Sequence, residues 1–207
     1  MQELPTIPKD LLERVSMTLK KITRAASEHY GADCYLQALL AQHLLKREGF
    51  ETRVASGEAA WRVGNGDSDV IVHAKAGNYV PQPGALLFHS WLIYGHDIID
   101  FTTYQLREKA EQLDALDGGS TTVDWCPEYL YVKSKSGHSV HDVTQGQTGL
   151  YHYRQDFVIE GKLKAHKKPL DNDAKNYAEI VYANPQMEVF GTAGASDTPR
   201  KPIMKPG

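Results

Sequence analysis

The stretch GALLFHSWLIYGHDIIDFTTYQ, residues 84–105, constrains the fold more than any other part of the chain. It places two apolar arms around Gly95-His96, and short apolar runs joined by a two-residue connection that contains glycine read as a β-hairpin. A turn at Gly95-His96 pairs Tyr94 with Asp97, and counting outward sets Trp91 opposite Asp100 and His89 opposite Thr102. Opposed residues of an antiparallel pair point to the same face, so His89, Trp91, Asp100 and Thr102 share one face, and Tyr94 and Asp97 the other. His89 and Asp100 become diagonal neighbours, about 7 Å apart at Cβ, within reach of a ring nitrogen and a carboxylate. The count requires an even-numbered loop, because a three-residue turn moves Asp100 to the opposite face.

The elements around this hairpin follow from apolar spacing. Leu11, Leu12, Val15, Leu19, Ile22 and Ala26 recur at steps of three and four, a helical stripe that starts after Pro8 and stops at Gly31. A second helix opens at Asp33 as N-cap, runs from Cys34 through Leu36, Leu39, Leu40 and Leu44, and closes with Lys46, Arg47 and Gly49. TRVASGEAAWRV, DVIVHA and the two hairpin arms read as strands. QLREKAEQLDAL, 105–116, reads as a helix anchored by Leu106, Leu113 and Leu116. EYLYVKS and LYHYRQDFVIE read as strands, and DNDAKNYAEIVYAN as a helix. Helices followed by a run of strands give an α+β fold, with residues 1–190 as one domain and 191–207, rich in Gly and Pro, as a disordered tail.

A histidine oriented by a carboxylate lacks only a nucleophile to form a nucleophilic site. The carboxylate fixes the tautomer and stabilises the imidazolium, while the free nitrogen accepts the nucleophile's proton. The sequence has two cysteines, Cys34 and Cys126. Cys34 stands in the first turn of a helix, where the backbone dipole favours a thiolate and a nearby imidazolium favours it further. Cys126, between Trp125 and Pro127, reads as packing. Taken singly, Cys34 in a leucine-rich helix reads as core, His89 as a hydrogen-bonded interior histidine, and Asp100 as a carboxylate closing a strand. Together they are a nucleophile, a base and an orienting group in the order helix start, strand, next strand.

GADCYLQALLAQHLLKREGFETRVASG, FHSWLIYG and IIDFTT together resemble the transglutaminase-like and papain-like superfamily of cysteine enzymes, over about residues 28–104. Within it, the chain resembles an uncharacterised bacterial family grouped with the cysteine proteinases. The resemblance implies a cysteine helix packed on an antiparallel sheet, with Cys34 as nucleophile, His89 as general base and acid, and Asp100 as orienting group. Papain-type enzymes carry a Gln before the Cys that helps bind the oxyanion, and no Gln stands between Gln2 and Cys34. The backbone N–H of Cys34 then supplies one donor, Tyr30 is the candidate for the other, and Trp91 and Thr102 line the site.

The remaining signals bound the function class. Net charge is -3 with 24% charged residues, so there is no basic footprint for nucleic acid or an anionic membrane, and neither is expected as a partner. The N-terminus MQELPTIPKDLLERVSM lacks a continuous apolar core and no later run approaches a membrane span, which reads as a cytoplasmic chain. GHSVHD places His138 and His141 three apart beside Asp142, but outside a helix that spacing does not put both rings on one face, and no metal or cofactor is expected. VGNGDSD, 63–69, lacks the terminal Glu of a calcium loop and the Lys of a phosphate loop. The expected function is a cysteine hydrolase or acyltransferase acting through a thioester on a peptide, protein or small amide or ester. A fold-sharing binding module with a vestigial triad is the alternative.

Overall fold

The computed structural model describes residues 4–26, 33–73, 87–133, 138–166 and 169–191. Tyr30, Gly31 and the tail 192–207 lie outside these residues. The elements run α1 (Lys9–Ala26), α2 (Cys34–Arg47), β1 (Arg53–Arg62), β2 (Val70–His73), β3 (His89–Tyr94), β4 (Asp97–Asp100), a 3-10 turn (Thr103–Gln105), α3 (Leu106–Asp117), β5 (Leu130–Val132), α4 (Val140–Gln145), β6 (Tyr151–Gln155), α5 (Phe157–His166) and α6 (Asn172–Ala183). The architecture is α+β around one antiparallel sheet of order β2-β1-β3-β4-β5, with β6 also paired to β1. No helix among the described residues is long and apolar enough to cross a membrane.

The ten-residue β1 serves three antiparallel partners, with β3 along 53–57, β6 along 57–61 and β2 along 59–62. Gly57 lies opposite both His89 and Gln155, and a Cβ built there would sit 2.1 Å from the Arg154 carbonyl oxygen, so no side chain fits. The hairpin has the register counted from the sequence: Tyr94 faces Asp97, Ile93 faces Ile98 and Leu92 faces Ile99. Gly95 takes φ +60°, the positive value that a two-residue hairpin turn requires at its first position.

Both faces of the sheet are covered, which is why the hairpin arms are almost continuously apolar. Leu92 and Ile99 pack with Leu12, Val15 and Leu19 of α1, Leu44 and Leu45 of α2 and Val181 of α6. Trp91 and Ile98 pack with Trp61, Ile71, Leu106, Val123 and Tyr153. Strand alternation puts His89 on the side of Trp91, and Asp100 on the side of Ile98.

Four readings need correction. Only 151–155 of LYHYRQDFVIE is strand; α5 begins at Phe157, because Asp156 accepts the backbone N–H groups of Val158 and Ile159 through Oδ1 and turns the chain into a helix. SVHD opens α4 with a capping box, in which the Ser139 hydroxyl accepts from the Asp142 N–H and the Asp142 carboxylate accepts from the Ser139 N–H. In α3, Leu106 is buried while Leu113 and Leu116 are exposed, so the helix is anchored only at its start, through Leu106 and Ala110. The second hairpin arm ends at Asp100, and Thr102 leads into the 3-10 turn. α2 keeps its expected bounds, closed by Gly49 at φ +87°, whose N–H reaches the Lys46 carbonyl.

Candidate active site

Asp33 occupies the N-cap position of α2, but its side chain makes no capping bond. Its Oδ1 instead accepts from Gln37 Nε2 at 2.9 Å. Gln37 Oε1 in turn accepts from the Tyr104 hydroxyl, which accepts from Gln105 Nε2, each at 3.3 Å. This chain, buried from Gln37 onward, ties the first turn of the cysteine helix to the segment that follows Asp100. Sequence reasoning passed over Gln37 and Tyr104, since neither residue type marks such a role without its neighbours.

His89 and Asp100 are fully buried, and Nε2 of His89 lies 2.8 Å from Oδ2 of Asp100. The other carboxylate oxygen accepts from the Thr102 backbone N–H at 2.8 Å and the Thr102 hydroxyl at 2.7 Å. Tyr153 donates its hydroxyl to Oδ2 at 2.7 Å, and accepts from Trp61 Nε1 at 2.8 Å. Asp100 thus receives four hydrogen bonds while fully buried. Burial alone would raise its pKa, but the His89 charge and hydrogen bond, with the Thr102 donors, hold it below the ordinary carboxylate value. Asp97 points elsewhere and accepts from the Tyr131 hydroxyl.

The second ring nitrogen of His89, Nδ1, is buried and meets no partner at full hydrogen-bond geometry. Cys34, 5% exposed, also interacts with the imidazole. Burial pushes the Cys34 thiol up, yet the neighbouring ring and charge of His89, the charge of Lys109 and the Ser90 backbone bring it below its ordinary value. For His89 burial pulls the pKa down, and Asp100 and Cys34 together raise it above the ordinary value. Both directions favour a thiolate–imidazolium pair. Trp91 stacks on His89, centroids 6.2 Å apart at 15°, and Trp61 meets it edge-on at 4.7 Å. Thr102 Oγ1 stands 3.4 Å from His89 Nε2.

Of the residues singled out from sequence, Cys34, His89, Asp100, Trp91 and Thr102 come together, while Tyr30 lies outside the described residues. Four others joined them unannounced: Tyr153, Trp61, His73 and Lys109. Tyr153 had a signal in the alternating LYHYRQ strand, with one apolar face. Lys109 had none, because a lysine in a charged helix normally faces water. Cys126 packs with its sulfur 3.4 Å from the carbonyls of Thr103 and Tyr104. His141 does lie on a helix, but Asp142 is committed to the capping box. Among the described residues no group of three His, Cys, Asp or Glu stands where it could hold a metal ion.

No family model matches the chain, and no curated protein matches it. One similar solved structure is described as "The crystal structure of genomics APC5867"; it is 18% identical, with a TM-score of 0.58 over 86% of this chain and 79% of that one. At that identity the likeness concerns the α+β fold alone.

Proposed function

We propose that the chain is a cysteine-dependent acyl-transfer enzyme, a peptidase, amidase or transglutaminase-like acyltransferase of the cysteine-proteinase superfamily. The observation that carries this reading is the buried His89–Asp100 contact at 2.8 Å, with the ring's second nitrogen left for Cys34. In the mechanism His89 holds the Cys34 proton, and the thiolate attacks a substrate carbonyl to form a C–S bond. Cys34 is the first residue of α2, and a backbone N–H at that position has no intrahelical acceptor, so it is a donor for the oxyanion. Collapse of the tetrahedral species expels the amine or alcohol, which takes the proton from His89. Water or an acceptor amine then attacks the thioester, returns a proton to His89 and releases the thiolate. Asp100 keeps the imidazole oriented and its positive form stable throughout.

The experiment is selective alkylation. Iodoacetamide at pH 6 modifies Cys34 much faster than Cys126, and His89→Ala slows the Cys34 reaction by about tenfold or more through loss of the thiolate. Equal, slow labelling of both cysteines refutes the reading. The burial of Cys34 favours a second reading, a binding module in which the triad is a structural relic, and that reading requires the equal, slow outcome.

A further inference from the structure

We propose that Lys109 and His73 form an anion subsite beside Cys34, so that the substrate is an acyl compound carrying a carboxylate close to its scissile carbonyl. This rests on Cys34 being the nucleophile and adds what the site selects.

Lys109 is 8% exposed, and the described residues place no carboxylate within ion-pair reach of its ammonium. A largely buried ammonium without a carboxylate on it is costly to keep charged, and burial lowers its pKa. Its ammonium lies over the face of Trp61, 5.8 Å from Nζ to the ring centroid. The negative groups whose charge reaches it are Cys34, Asp100 and Asp33. Asp100 already accepts four hydrogen bonds and Asp33 accepts from Gln37, so neither is a dedicated partner.

His73 supplies the second, independent observation. Its Nε2 is buried without a hydrogen-bond partner, and its ring lies 5.7 Å from Trp61 and 6.0 Å from His89. Burial, with the charges of Lys109 and His89, pulls its pKa well below the ordinary histidine value, so the imidazole is neutral and can offer one N–H. Trp61 therefore has Lys109 over its face, and His73 and His89 packed edge to face against it, while its own N–H is taken by Tyr153. One cation and one neutral donor, with no acidic side chain to close the pairing, match an anion of single charge and two oxygens. A carboxylate meets that description, with the ammonium as its counter-charge and the His73 N–H as a hydrogen-bond donor.

Iodoacetate and iodoacetamide test this, because they differ by one negative charge and react alike. In both, the Cys34 thiolate attacks the methylene carbon, the S–C bond forms, and iodide leaves with the electrons of the C–I bond. The ratio of the two rates cancels any change in thiolate population and reads charge recognition alone. Lys109→Met should lower the iodoacetate to iodoacetamide ratio by about tenfold, the worth of one charge-assisted hydrogen bond, while Lys109→Arg keeps it within about threefold. His73→Phe should lower it by a smaller factor. Lys109→Met replaces a largely buried ammonium with an apolar side chain of similar length and so should fold, which a thermal melt checks. A measurement that needs no variant is protection: sodium propionate should slow iodoacetamide labelling of the parent more than sodium chloride does at equal ionic strength. A ratio unchanged in Lys109→Met, or propionate protecting no better than chloride, overturns the subsite. Failure of both reagents to label Cys34 overturns the nucleophile reading itself.

Discussion

Asp100→Asn removes one charge and leaves the shape of the side chain. The carboxylate now accepts from four donors: His89 Nε2, the Thr102 N–H, the Thr102 hydroxyl and the Tyr153 hydroxyl. An asparagine oxygen can keep the two Thr102 bonds, but its NH2 group then meets the Tyr153 O–H and His89 Nε2, and donors face donors. His89 relieves the clash by presenting a bare Nε2 and carrying its proton on Nδ1, the tautomer that cannot accept a proton from Cys34. The imidazolium also loses the counter-charge that opposes burial, so the His89 pKa falls and burial raises the thiol. Removing one partner of a buried ion pair costs about 3 kcal/mol or more, and that much taken from the thiolate–imidazolium form is a roughly hundredfold smaller thiolate population at neutral pH. The assay is the iodoacetamide rate of Cys34 from pH 5 to 10, with a thermal melt of the same sample. The variant should lose rate at pH 7 and recover it only at alkaline pH. A rate within about threefold of the parent at every pH refutes the orienting role and leaves Asp100 a structural carboxylate, whatever the melt shows.

Further outcomes follow from the same contacts. Asp100 has a folded pKa below its ordinary 3.8, so its stabilisation is complete above that value and is lost as pH falls through the lowered one; the gap in melting temperature between parent and Asp100→Asn should therefore narrow in acid. Tyr153→Phe leaves the Trp61 N–H without its acceptor and Asp100 with one donor fewer, and should cost about 1–3 kcal/mol in a urea melt while slowing Cys34 alkylation less than Asp100→Asn does. Gly57→Ala drives a methyl into the Arg154 carbonyl, and should destabilise by about 3 kcal/mol or leave the protein insoluble. Glu179→Gln weakens the bridge from α6 to His43 at 2.7 Å and Arg47 at 2.9 Å, partly exposed contacts whose loss should stay below about 1 kcal/mol in the same melt.

Local patterns fixed much of this molecule from sequence. The helices at 9–26, 34–47 and 172–183 followed from stripes and caps, and the hairpin register followed from the glycine-containing turn, because a period of two leaves only one face for each residue. That register alone put His89 and Asp100 together and set Asp97 aside. Local signals misled where a short polar cap opens a helix, within a segment read as strand at Asp156 ahead of α5 and within one read as lying outside any helix at Ser139 ahead of α4. Tertiary structure decided what no spacing carries: that Tyr153, from a strand paired to β1, completes the shell of Asp100, and that Lys109, a lysine of a charged helix, is turned inward over Trp61. The reason is physical. Turn and period act between residues a few positions apart, whereas burial of a tyrosine hydroxyl or an ammonium is set by which distant elements close over it, and that depends on how the whole sheet and its helices pack.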